Sequence, residues 1–212
     1  TFFMTYKTEQ EKFWAAKKWG NDYINRNTYK KLKNNINFWS KIISQTNKIK
    51  TAIEFGANIG LNLLALKNIL PDVEFSALEI NKNACQELEK LNLCHIYNQS
   101  ILDFKDNKKF DLVIVKNVLI HINPDHLDVV YRKLYDASLN YILIGEYYSP
   151  NPVELIYRGE KDKLFKRDFA GEILDKFNDL ELINYGFQYH RDNNFPMDDI
   201  NWFLLKKNNE TV

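Results

Sequence analysis

Ile53-Glu54-Phe55-Gly56-Ala57-Asn58-Ile59-Gly60 is the stretch of this chain whose residue types and spacing bear most directly on chemistry. Gly56 permits a sharp backbone turn and lets a ligand lie against the main chain with no Cβ in the way. Gly60 permits close packing of a helix on a strand. A helix starting here turns its unpaired N–H groups toward whatever fills the crevice beside it. Glu79 ends the run Phe75-Ser76-Ala77-Leu78-Glu79. An acid at the end of the second strand of a doubly wound sheet accepts hydrogen bonds from both hydroxyls of a ribose, so turn and acid together point to an adenosine-type ligand. The glycine spacing narrows the choice. A dinucleotide fingerprint asks for G-x-G-x-x-G/A, so that the backbone can approach a pyrophosphate. Counting from Gly56, this chain has Asn58 and Leu61 in the second and third places, which counts against NAD. Asn58 keeps the turn feasible, because Asn tolerates positive φ well.

Thr8-Glu9-Gln10-Glu11 is a capping-box pattern that opens a helix carrying Trp14 and Trp19 and stopped by Gly20. A second helix follows Asn27, with Leu32, Ile36, Trp39 and Ile43 on one buried face. Residues 1–50 therefore form an N-terminal helical extension. From Thr51 strands and helices alternate: strands at 51–55, 73–78, 94–97, 110–115 and 141–145, and helices at 59–70, 81–91 and from Asn123-Pro124 to Ala137. That order implies a parallel sheet covered on both faces. Leu180–Phe187 and Asn201–Lys206 read as a closing antiparallel hairpin. The expected fold is α/β and Rossmann-like, with a mostly parallel seven-stranded sheet over residues 51–212. A polar stretch at about 147–167 is longer than a connection needs, and long loops at such strand ends tend to carry function.

Bulk properties bound the rest. A chain of 212 residues suits one domain with a substantial core. Its net charge of +1 argues against a dedicated nucleic-acid binder. Cys85 and Cys94 read as reduced thiols. The opening Thr1-Phe2-Phe3-Met4, soon broken by Lys7 and Glu9, does not read as a signal region, and no apolar run reaches membrane-spanning length. The expectation is a cytoplasmic protein with no membrane partner. The histidines (His95, His121, His126, His190) and the cysteines show no short ligand spacing, so no metal is expected.

The pattern Glu54-x-Gly56-x-Asn58-x-Gly60 resembles motif I of class I methyltransferases, which use S-adenosylmethionine (SAM) and release S-adenosylhomocysteine (SAH). The resemblance implies SAM-binding roles for Glu54, Gly56, Ala57, Asn58, Gly60, Glu79 and Ile80. It also implies that the loop after the third strand closes over adenine. There Ser100 stands where an acidic residue is usual, so its hydroxyl and the Ile101 N–H would substitute, with Asp103 the alternative. After the fourth strand Lys116 and Asn117 would face the methionine part, and His121 would lie near the methyl acceptor.

Further stretches resemble methylases associated with pseudaminic acid biosynthesis. They are Thr8–Trp14 with Gly20–Asn27, Glu146–Glu154, Tyr157-Arg158-Gly159, and Lys163–Glu172; the chain has Glu160 where that family usually has His. That resemblance implies a small sugar-like acceptor, of the nonulosonic acid or nucleotide-sugar type found in surface-glycan biosynthesis. Arg158, Lys166 and Arg167 could clamp a carboxylate or phosphate, and Tyr23, Arg26, Tyr147 and Tyr148 could line a sugar. Each has a plainer alternative: a solvated basic loop, core positions for Trp14 and Trp19, an N-cap for Asp168. Methyl transfer from a sulfonium is mainly a matter of positioning. A hydroxyl acceptor also needs a base, for which His121, Glu146 and His190 are available. An NAD-dependent nucleotide-sugar oxidoreductase and a non-catalytic SAM-binding protein are the alternatives. RNA methylation is disfavoured by the neutral charge balance, and the sequence leaves the oligomeric state open.

Overall fold

The computed structural model describes residues 5–16, 31–157 and 159–208. Trp19, Gly20, Tyr23, Arg26, Asn27 and Arg158 lie outside the described residues. Helix α1 (Glu9–Ala15) opens on Thr8, whose hydroxyl accepts from Glu11 N–H while the Glu11 carboxylate accepts from Thr8 N–H, the reciprocal box read from the sequence. Its buried residues are Gln10 and Glu11, so it docks through polar side chains. Helix α2 (Leu32–Ile43) buries Phe38, Trp39 and Ile42.

β1 (Thr51–Phe55), α3 (Leu61–Ile69), β2 (Glu74–Glu79), α4 (Lys82–Leu91) and β3 (Cys94–Asn98) run outward from the sheet centre. The chain then returns to β4 (Phe110–Lys116), passes two 3-10 turns at 119–121 and 124–126, and continues through α5 (Leu127–Ala137) and β5 (Ser138–Glu146). After an insertion come α6 (Phe169–Lys176), β8 (Leu180–Gln188) and β9 (Ile200–Lys207). The sheet order is β3-β2-β1-β4-β5-β9-β8, with β9 antiparallel to β5 and β8 antiparallel to β9. This is the expected seven-stranded, mostly parallel sheet with its closing hairpin. β1 and β4 are buried along most of their length because helices cover both faces. α2, α3 and α4 cover one face, and α5 and α6 the other. The chain reverses its direction of winding between β1 and β4, so a crevice opens beyond their carboxyl ends.

Two elements differ from the sequence reading. α3 begins at Leu61 rather than at Ile59, because Asn58 (φ 49°) and Gly60 (φ 79°) both stand in the left-handed region. The long polar stretch after β5 is a two-stranded antiparallel hairpin, β6 (Val153–Tyr157) with β7 (Glu160–Lys166), turning at Gly159 (φ 88°). Charged residues at 160–163 masked its alternation, but Leu164 and Phe165 are buried under it. The apolar anchor fixes the hairpin to the domain.

Candidate functional site

β1 delivers the chain into a turn whose backbone is left-handed at Gly56, Asn58 and Gly60. Glycine removes the steric cost at two of these positions, and asparagine lowers it at the third. A Cβ on Gly60 would stand 2.4 Å from Leu88 Cδ2, so this glycine lets α4 pack close and does not face the crevice. A Cβ on Gly56 would stand 2.4 Å from Val118 Cγ2, which brings the loop after β4 down onto the turn.

Glu79 ties the turn to β2. Its Oε2 accepts from Asn58 N–H at 2.7 Å, and its Oε1 accepts from Asn81 N–H at 2.7 Å. Burial pushes the Glu79 carboxyl above the ordinary carboxylate range, and these backbone donors pull it back down. A carboxylate offers about four lone-pair directions, so each oxygen keeps capacity for one further donor. A ribose diol has that valence.

Glu54, on β1, is 1% exposed. Its Oε1 accepts from Asn62 Nδ2 at 2.6 Å, while its Oε2 is buried without a partner among the described residues. Burial raises its carboxyl to about 8, against the pull of the Asn62 amide and the Lys116 charge. Lys116, at the end of β4, runs over Gly145, where a Cβ would lie 3.2 Å from Lys116 Cγ, and its ammonium sits 5.7 Å from the Phe38 ring centre. Burial lowers its affinity for its proton. Asn117 is left-handed (φ 57°), and its Oδ1 is also buried without a donor.

These groups border one crevice of about 350 Å³. Of the residues singled out by sequence, Glu54, Gly56, Ala57, Asn58, Glu79 and Ile80 line it from the first half of the sheet. Ser100, Ile101, Lys116, Asn117 and His121 line it from the loops after β3 and β4. Glu54, Glu79 and Glu11 bring carboxyl groups to its wall, and the orphaned Glu54 Oε2, Asn117 Oδ1 and Gln10 Oε1 are all acceptors. Such a wall suits a ligand rich in N–H, O–H and ammonium donors and repels a pyrophosphate.

His121 is 8% exposed, with Trp14 at 4.2 Å and Tyr157 at 5.3 Å between ring centres. Its Nδ1 lies 2.7 Å from the Lys163 carbonyl oxygen. A carbonyl only accepts, so Nδ1 carries a proton, and in the neutral ring the lone pair is on Nε2. Lys163 of β7 thus fixes the tautomer of the neutral ring, while Trp14 of α1 packs against its face.

Other sequence expectations fall elsewhere. Glu146 lies outside the crevice lining. Its Oε1 accepts from Val118 and Leu119 N–H, both at 2.9 Å, and so holds the loop that carries His121. Burial raises this carboxyl to about 7. Tyr147, Tyr148, Lys166 and Arg167 also stand outside the crevice. Lys166 sits over the Tyr147 ring at 5.4 Å, and Arg167 pairs with Glu172 at 2.7 Å. Asp168 caps α6 by accepting from Gly171 N–H at 2.9 Å. His190 lines the crevice from the β8–β9 loop, with Nδ1 at 2.8 Å from Asp199 Oδ2.

Sequence reasoning missed Gln10, Glu11 and Trp14 as crevice residues. The capping box revealed the helix; nothing in its spacing revealed that the buried side would be the polar one. Among the described residues no cluster of His, Cys, Asp or Glu is arranged to hold a metal ion, and no helix is long and apolar enough to cross a membrane.

No family model matches the chain, and no curated protein matches it. Solved structures do. The plantazolicin methyltransferase BpumL in complex with SAH is similar over 94% of this chain and 93% of that one, with a TM-score of 0.66 and 14% identity. The magnesium protoporphyrin IX methyltransferase of Synechocystis PCC 6803 with bound SAM covers 96% of this chain and 100% of that one, with a TM-score of 0.65 and 12% identity. A SAM-dependent methyltransferase of Leishmania major covers 93% and 82%, with a TM-score of 0.69 and 15% identity. At these identities the likeness concerns the backbone: the chain has the Rossmann-like fold of class I methyltransferases.

Proposed function

We propose that this protein is a SAM-dependent methyltransferase whose acceptor is a small, sugar-like molecule of the nonulosonic acid or nucleotide-sugar type. One observation carries the donor assignment: the left-handed turn after β1 is hydrogen-bonded through Asn58 to Glu79, beside buried acceptors that lack donors. Glu79 would hold the hydroxyls of SAM, Glu54 its ammonium and Lys116 its carboxylate. Bound there, SAM supplies an electrophilic methyl group.

The chain's own residues orient, exclude water and hold a proton. The turn and Asn117 would hold the donor's amino-acid part beside the ends of β1 and β4. Trp14, packed on His121, shields the reacting region from solvent. His121, its Nδ1–H fixed on the Lys163 carbonyl, presents a basic Nε2 and takes the proton of a hydroxyl acceptor. The sugar-like acceptor rests on the stretches that resemble the pseudaminic-acid-associated methylases. Tyr23, Arg26 and Arg158 remain part of that proposal, as groups that would grip the acceptor's carboxylate or ring.

The test is transfer of isotope-labelled methyl from SAM to a panel of free and nucleotide-linked nonulosonic acids, with mass spectrometric identification of the labelled product. Label in one of these acids supports the acceptor class. Label only in peptides, RNA or lipid extracts contradicts it.

A further inference from the structure

The crevice has a direction. On the SAM reading, Glu79 at the end of β2 would fix the ribose, and the turn after β1 leads from there to Lys116, where the amino-acid end would lie. β3 is the other neighbour of β2, so the base must extend toward the β3 side. The wall on that side is apolar at Ile80, Ala84, Ile101 and Leu102, which suits a purine face, and polar at only a few atoms.

The polar atoms there have a defined capacity. Ser100 is 3% exposed; its Oγ accepts from Leu102 N–H at 3.0 Å and donates its hydrogen to Glu11 Oε1. A hydroxyl has one hydrogen, so Ser100 has no donor left. Glu11 is 8% exposed. Its Oε2 accepts from Lys7 N–H at 2.5 Å and Thr8 N–H at 2.8 Å and is filled. Among the described residues its Oε1 holds only the Ser100 hydroxyl, which leaves one lone pair on the base side. At Glu11 Oε1 the polar edge of the purine therefore meets an acceptor, beside the Ile101 N–H that faces the ring nitrogens.

Resting on the SAM reading above, we propose that Glu11, delivered by helix α1 and aligned by Ser100, is the residue that reads the base. It accepts from the exocyclic amine of a 6-aminopurine and rejects a 6-oxopurine, which would set a carbonyl oxygen against the carboxylate. The acid that the β3 loop lacks at Ser100 is supplied from the N-terminal extension.

Titration calorimetry with SAH and S-inosylhomocysteine, which differ only at that edge, tests the assignment in wild type and in Glu11→Gln. Wild type binds SAH at least about 10-fold more tightly, the range of a hydrogen bond to a charged group. In Glu11→Gln the carboxamide keeps its oxygen on the Lys7 and Thr8 N–H groups and turns its NH₂ toward the base. The preference then shrinks to about 3-fold or reverses, with a gain in S-inosylhomocysteine affinity that loss of folding cannot produce. Equal binding of the two ligands by wild type, or the same preference in both proteins, overturns the role of Glu11 while leaving the SAM reading intact. Wild type that binds neither ligand removes the SAM reading and this assignment together.

Discussion

The backbone N–H of Asn58 donates to Glu79 Oε2 at 2.7 Å, joining the turn after β1 to the acid at the end of β2. Turn and acid are a single hydrogen-bonded unit, so ligand affinity and local backbone geometry depend on the same carboxylate. Glu79→Ala removes the partner of two backbone N–H groups and the two oxygens proposed to accept from the ribose. SAH affinity falls roughly 10- to 100-fold by calorimetry, and stability falls by about 2–4 kcal/mol in urea unfolding. An unchanged affinity would contradict the ribose role.

Glu54 gives the protein a pH signature. Its folded-state carboxyl titrates near 8, above the ordinary 4.5, because it is buried. Folding therefore favours its protonated form. This contribution is complete below the ordinary value and is lost as pH rises through the folded one. Glu54→Gln has no charge to bury, so its thermal midpoint gains on wild type from about pH 5 to about pH 8 and the difference levels off above that. A difference that stays flat across that range counts against the burial argument.

Glu146 separates a positioning role from a chemical one. Its Oε1 holds the Val118 and Leu119 N–H groups, and its Oε2 is buried without a partner among the described residues. Glu146→Gln keeps the accepting oxygen and removes a charge that titrates near 7, so it is neutral or stabilising above that pH. Glu146→Ala strands both N–H groups and costs about 2–4 kcal/mol. Equal losses from the two substitutions in denaturant melts would show that the turn does not depend on this acceptor.

His121 carries the proton-transfer proposal. His121→Gln lowers methyl transfer to a hydroxyl acceptor by about 10²- to 10⁴-fold while SAH affinity stays within about 3-fold. A variant that keeps the wild-type rate makes His121 a loop-holding residue.

Much of this architecture is readable in the sequence because its signals are local. Gly56, Asn58 and Gly60 mark a turn by their tolerance of positive φ, and Glu79 follows at a strand end. Strands alternating with helices imply the mostly parallel sheet, and two late strands with no helix between them imply its closing hairpin. What stays hidden depends on long-range contacts. The Glu11–Ser100 bond and the Trp14–His121 packing join the N-terminal helix to loops far along the chain, and no residue spacing encodes them. Likewise Lys166 and Arg167 look like an anion clamp in a polar stretch, yet the hairpin turns them toward Tyr147 and Glu172. Glu146, read from sequence as a base, is drawn under the post-β4 loop by two backbone donors that only the fold reveals.

The most direct test of the account is calorimetry of the purified protein with SAM, SAH and NAD in parallel. The account predicts saturable, one-to-one binding of SAM and SAH and no heat with NAD. Binding of NAD, or no binding of either SAM or SAH, would contradict it.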